Sequence, residues 1–123
     1  ILLAQSVVMY STEGGKYPVE EYITKLAKKH KEAELAAIRL YVKRLGKYGL
    51  EVNKYHSNTI KLLRDGIYEL RPNATRIFFF CFAKNTMVLL HAFEKKRWSI
   101  PPREIELAIK EKNDFLRRSD NGK

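Results

Sequence analysis

Ile67-Tyr68-Glu69-Leu70-Arg71, Arg76-Ile77-Phe78-Phe79-Phe80-Cys81-Phe82 and Thr86-Met87-Val88-Leu89-Leu90-His91-Ala92-Phe93 follow one another with only short breaks between them. Each run is rich in β-branched and aromatic residues and is short enough to be a strand. Pro72-Asn73 ends the first run, and Lys84-Asn85 is a tight turn between the second and third. Adjacent strands joined by short turns pair antiparallel, so these three predict a meander. Phe78, Phe79, Phe80 and Phe82 lie on its middle strand. A middle strand covered on both faces is buried, so these rings are read as core rather than as base-stacking platforms.

Outward from the meander, the chain turns helical. Pro101-Pro102 opens a last helix carrying Ile105, Ala108, Ile109, Phe115 and Leu116. On the N-terminal side, Pro18 suits a helix start, and Val19, Tyr22, Ile23 and Leu26 follow at helical spacing. A second helix is expected from about Glu32 to Leu45, with Leu35, Ile38, Tyr41, Val42 and Leu45 as its apolar stripe and Gly46 and Gly49 as its stop. The charged turn Lys28-Lys29-His30-Lys31 joins the two into a helical hairpin. Gln5 to Tyr10 reads as a first strand, Ser11 to Lys16 as a loop, and Leu50 to Asn58 as irregular. The expected order is β-α-α-β-β-β-α. That is an α+β domain: a small antiparallel sheet with an N-terminal helical hairpin and a C-terminal helix.

The 123 residues are one domain's length, and 45% hydrophobic residues can build one core. No run approaches the roughly 18 apolar residues a membrane helix needs. Ile1-Leu2-Leu3-Ala4 has no basic segment before it and does not read as a signal peptide. Cys81 is the lone cysteine, which excludes an internal disulfide or a cysteine-rich zinc site and fits a reducing cytoplasm. No HExxH, Gly-rich phosphate loop or GxSxG is present, so neither a metal nor another cofactor is expected.

Charge is the strongest global signal. Lys and Arg number 24 against 14 Asp and Glu, a net charge of +10. This suits a polyanionic partner such as nucleic acid or the ribosome, or else an acidic partner protein. Arg71 and Arg76 flank the turn between two predicted strands. If they pair across it, their side chains share a face and repel, unless a phosphate or a carboxylate such as Glu69 lies between them. Lys95-Lys96-Arg97 follows the third strand, while Lys61 and Arg64 approach the first. Together these cations could focus a positive cleft, although most charge runs are only solvated surface. His91 sits in an apolar strand, where a hydrogen-bonded core role competes with acid–base chemistry. Trp98 follows the cationic run without apolar periodicity around it, so it either stacks on a base or partner or caps the core.

These same stretches carry a family resemblance. Lys61-Leu62 with Asp65-Gly66-Ile67-Tyr68-Glu69-Leu70-Arg71 resembles the signature of HigB toxins of the phage Gp49-like group, within the RelE/ParE superfamily. Arg76-Ile77-Phe78-Phe79, Val88 to Lys96, Pro101 with Glu104-Ile105 and Ala108, and Pro18-Val19-Glu20-Glu21-Tyr22 resemble its other blocks in order. The resemblance implies one RelE/HigB-like toxin domain over residues 1–123 and a type II toxin–antitoxin role. It implies a metal-independent endoribonuclease that cuts mRNA in the ribosomal A site, with a helix-turn-helix antitoxin as partner. The chemistry would be attack of an RNA 2′-OH on its own phosphate.

On that reading Arg71 and Arg76 hold the phosphate and Lys95, Lys96 and His91 are candidates for proton transfer. Lys61 is a further lysine that could exchange protons, because crowded cations lower one another's proton affinity. Lys61, Arg64, Lys84, Arg97 and Trp98 would contact RNA. The chain departs from the pattern at Ile100, where Thr is usual, and at Ala92, where Gly is usual. No Tyr or His follows His91, which leaves the general base open. The main rival is a ParE-like inhibitor of DNA gyrase, which shares the fold and needs no phosphate cleft. A non-toxic nucleic-acid-binding module is the other.

Overall fold

A computed structural model describes residues 6–96 and 98–121. Gln5, part of the expected first strand, and Ile1 to Ala4 lie outside the described residues. The elements are β1 (Ser6–Met9), α1 (Pro18–Lys28), α2 (Glu32–Tyr48), a 3-10 helix (Gly49–Lys54), β2 (Ile60–Leu62), β3 (Tyr68–Leu70), β4 (Thr75–Phe82), β5 (Thr86–Glu94) and α3 (Pro102–Asn121). The α+β class, the helical hairpin, the meander and the C-terminal helix are as expected.

The five strands form one sheet in the order β1-β5-β4-β3-β2. It is mixed rather than wholly antiparallel, because β1 pairs parallel to β5. The neighbour of β1 comes from the far end of the chain, so no local turn fixes its direction. β2 is a strand that periodicity missed. Asn53 holds it in place: its Oδ1 accepts from the amides of Thr59 and Ile60, and its Nδ2 donates to the Ile60 carbonyl. The expected irregular segment is thus a 3-10 helix tied to an edge strand.

α2 runs through Gly46 and ends only at Gly49, whose φ of 58° is left-handed. Gly46 alone therefore does not stop it. A helical glycine costs only about 1 kcal/mol, and the buried Leu45 beside it anchors that turn to the core.

α1 and α2 cover one face of the sheet. Val19, Ile38 and Leu45 pack there on Leu70, Ile77, Phe79, Met87 and Leu89. α3 covers the other face, where Ala108 meets Ile67, Phe78, Phe80, Val88 and Leu90. Phe78 and Phe79 are fully buried on opposite faces, so the middle strand is core. Strict alternation along β5 breaks at one place. Phe78 pairs with His91 while Phe79 pairs with Leu89, so Leu90 is the extra residue of a β-bulge. Leu90 and His91 consequently both face α3, a re-aiming that bulges commonly perform.

Candidate nucleic-acid interface

Register fixes which cations share a face. Lys61 on β2 is the partner of Glu69 on β3, and Glu69 is the partner of Phe78, which faces α3. Side chains in register point the same way, so Lys61 and Glu69 also belong to the α3 face. Arg71 lies two residues beyond Glu69 and returns to that face. Arg76 is the register partner of Phe93, and Lys95 follows Phe93 by two. The amide of Lys95 donates to the Ala74 carbonyl and prolongs the ladder past β5. One corner of the sheet thus gathers Lys61, Arg71, Arg76 and Lys95.

Glu69 is the centre of this corner. Its carboxylate is almost fully buried, with Arg76 Nε at 3.1 Å and Arg71 Nε at 3.8 Å. The carboxylate alternative read from the sequence is therefore present, with one carboxylate shared by two guanidinium groups. The contact with Arg76 is an ion pair rather than a directed hydrogen bond, since Glu69 Oε1 and Arg76 Nε have no hydrogen-bond partner among the described residues. The Nη1 of Arg76 donates to the carbonyls of Asn73 and Thr75, 2.8 Å each, which locks it against the turn. Asn73 takes a left-handed φ of 51° there. Arg76 is buried and committed to this turn, whereas the Arg71 side chain is 30% exposed. One carboxylate against two guanidinium groups leaves one positive charge, and Arg71 is the group that presents it.

Two openings border the corner. A cavity of about 390 Å³ is lined by Asn73, Ala74, Arg76, Lys95, Lys96 and Trp98. A second, of about 190 Å³, is bounded by Phe93, Lys95, Lys96, Pro101, Arg103 and Glu104. Lys95 and Lys96 form the rim between them. Trp98 is 101% exposed, which excludes the core-capping reading. A fully solvated indole is unusual, because burying it would remove a large apolar area from water.

His91 lies under α3 rather than at an opening. Its Nδ1 is 2.6 Å from Glu111 Oε1 and its Nε2 is 3.2 Å from Glu104 Oε1. The two carboxylates stand seven positions apart, two helical turns, on the same side as the buried Ala108. Sequence reading missed them as site residues. The signal available was a pair of carboxylates on the helix stripe that also carries Ile105 and Ala108.

The remaining residues spread out. Arg64 is paired to Asp65 at 2.8 Å and is half exposed. Lys96 is exposed, with Glu94 at 3.6 Å. Lys84 sits in the β4–β5 turn, at the opposite end of the hairpin from Arg76. Strands rise about 3.3 Å per residue, which puts the two roughly 20–25 Å apart. Lys84 therefore does not join the corner. Arg97 lies outside the described residues.

A second polar cluster ties α3 to the end of β1. Tyr10 donates to Asp114 at 2.7 Å, and Arg117 and Arg118 also reach that carboxylate. Burial, then the bond to Asp114, pushes the Tyr10 hydroxyl up to about 12. Bonds from Tyr10 and Arg118 hold Asp114 down at about 2. Under the helical hairpin, Tyr22 meets Thr75 at 3.0 Å and Thr75 donates to Glu34 at 2.9 Å. Burial raises the Tyr22 hydroxyl. Among the described residues, no group of three His, Cys, Asp or Glu side chains is placed to hold a metal ion. No helix among them is long and apolar enough to cross a membrane.

A small α+β domain whose described residues form three α-helices and a five-strand mixed sheet has the RelE-like form. The family described as "Phage derived protein Gp49-like (DUF891)" matches residues 21–113, and the chain belongs to it. That family is the HigB-like toxin group of the RelE/ParE superfamily, which suggests a toxin whose partner is an antitoxin. No curated protein matches the chain.

Proposed function

We propose that this protein is a type II toxin that inhibits translation by cleaving mRNA on the ribosome, without a metal, in the cytoplasm. The observation that carries the reading is the corner around Glu69. Two guanidinium groups share one carboxylate there, the surplus charge is presented by Arg71, and two lysines continue the rim. A surface that only inhibits a protein has no need of a guanidinium held in place over a buried carboxylate, whereas a phosphate can accept from the partly exposed Arg71. In the proposed reaction the RNA 2′-oxygen attacks the adjacent phosphorus and the 5′-oxygen leaves, giving a 2′,3′-cyclic phosphate and a 5′-OH. Arg71 stabilises the charge that builds on the phosphoryl oxygens. Arg76 holds the turn that carries the site, and Lys95 and Lys96 add charge at the rim. Lys61 and Arg64 extend the cationic surface along the edge, and Trp98 offers a face for a base. A helix-turn-helix antitoxin is the proposed partner that restrains it.

The test is 5′-end mapping of a reporter mRNA in a purified translation system with this protein added. Cuts in register with codons that require ribosomes are the expected result. Intact mRNA with the folded protein present would overturn the reading, and inhibition of gyrase supercoiling in its place would assign the gyrase alternative.

A further inference from the structure

The proposed reaction needs a proton for its leaving 5′-oxygen, and the geometry of the His91 cluster is suited to holding one. A neutral imidazole has one N–H and one lone pair, and ionised carboxylates only accept. Both ring nitrogens of His91 face carboxylate oxygens, at 2.6 Å and 3.2 Å. With the Nδ1 proton directed to Glu111, a bare Nε2 would set a lone pair against Glu104. A proton between Nε2 and Glu104 Oε1 would turn that opposition into a hydrogen bond, so the geometry favours holding one there. The sheet adds the rings of Phe78 and Phe93 around His91, and α3 adds the two carboxylates. In register, Arg76 stands opposite Phe93 and is already paired to Glu69, and Lys95, Lys96 and Arg103 line the opening beside Glu104.

Among the described residues, Glu104 is the member of the cluster that lines an opening. The side chains of His91 and Glu111 are 7% and 8% exposed, and that of Glu104 is 20% exposed. Glu104 lines the cavity of about 190 Å³ together with Lys95, Lys96 and Arg103. The same two lysines line the opening beside Arg76. A phosphate held on this rim would therefore border Glu104.

We propose that Glu104 is the general acid of the cleavage, with His91 and Glu111 as positioning residues that keep it supplied with a proton. The inference rests on the ribonuclease reading. As the bond from the 2′-oxygen to phosphorus forms, the bond from phosphorus to the 5′-oxygen breaks with its electron pair on oxygen. Glu104 gives its proton to that oxygen, the 2′-OH proton leaves to water, and solvent reprotonates the cluster.

The experiment compares wild type with Glu104→Gln on a ribosome-bound mRNA carrying either oxygen or sulfur at the scissile 5′-bridging position. Glutamine keeps a hydrogen bond to His91 but delivers no proton. General-acid loss should lower kcat on the oxygen substrate by about 100-fold or more with KM unchanged. Glu104→Asp should recover part of it. A thiolate leaves without a proton, so the sulfur substrate should be cut at similar rates by both proteins. Wild-type rates of Glu104→Gln on the oxygen substrate would overturn the assignment, and so would a defect that sulfur does not relieve. Should Glu104→Gln not fold, wild type suffices. Its rate should fall on the basic side of the pH profile with oxygen and stay level with sulfur, and a basic limb that persists with sulfur overturns the proposal. A wild type that cuts neither substrate refutes the ribonuclease reading itself, and the assignment with it.

Discussion

The two faces of the sheet solve different problems. Under α1 and α2, Leu70, Ile77, Phe79, Met87 and Leu89 are all buried apolar groups. Their main polar interruption is the hydroxyl chain from Tyr22 through Thr75 to Glu34. Under α3 the same strands bury Glu69, Arg76 and His91, and α3 itself adds the buried Glu111. Ion pairs in such places often contribute no more stability than apolar residues of the same volume, because desolvation offsets their attraction. Both faces bury apolar side chains that drive folding, but the α3 face also holds charge that folding alone does not require. Both sides of the sheet therefore contribute apolar burial, and on the proposed reading the charge buried under α3 serves the chemistry.

The most severe test of that division is on the apolar face. Phe79 is fully buried and stacks on Tyr68 with ring centroids 5.3 Å apart. Phe79→Ala should cost about 3–5 kcal/mol of stability, read from the shift in urea midpoint. A loss well under about 1 kcal/mol would mean burial on this face contributes little to stability. The opposite profile is expected at Arg71. Arg71→Ala should lower mRNA cleavage on the order of 100–1,000-fold and abolish growth arrest, while its melting temperature stays close to wild type. A soluble, folded variant that arrests growth at the wild-type rate would remove Arg71 from the site.

A smaller effect concerns the seam between β1 and α3. Asp114 is held at about 2, below its ordinary 3.8. A depressed carboxyl binds its proton more weakly in the folded state than in the unfolded one. It therefore contributes stability that is complete above about pH 4 and is lost as pH falls toward 2. Melting temperature should decline across that window, and Asp114→Asn should flatten that part of the curve. If the variant keeps the full acid dependence, other carboxylates are responsible. The smallest effect is expected at Lys84, at the far end of the β4–β5 hairpin from Arg76. Lys84→Ala should leave cleavage unchanged in the same translation assay, and a marked loss would enlarge the RNA-binding surface beyond the corner.

Much of this protein was legible before any coordinates. Short aromatic and β-branched runs between turns located the meander strands, and helical spacing located both N-terminal helices and α3, because neighbouring residues alone set those patterns. The cation density and the Arg71/Arg76 flank of the hairpin were equally local. What the carboxylates do was not, because the answer depends on residues far apart in the chain. Glu69 meets Arg76 across a strand pair, and Glu104 and Glu111 meet His91 from another element.

Sequence by itself determined the α+β class, the core strand and the excess positive charge, all consequences of composition and short-range periodicity. Tertiary structure alone decided that β1 runs parallel to β5, that Asn53 makes an edge strand of Ile60–Leu62, and that Lys84 lies apart from the other cations. It also decided the orientation of His91. Strict alternation puts Leu89 and His91 on one face, yet the bulge at Leu90 sends Leu89 to the apolar side and turns His91 toward α3. A bulge is a mismatch between two paired strands, so its placement is fixed by the packing of both faces rather than by either strand's own sequence.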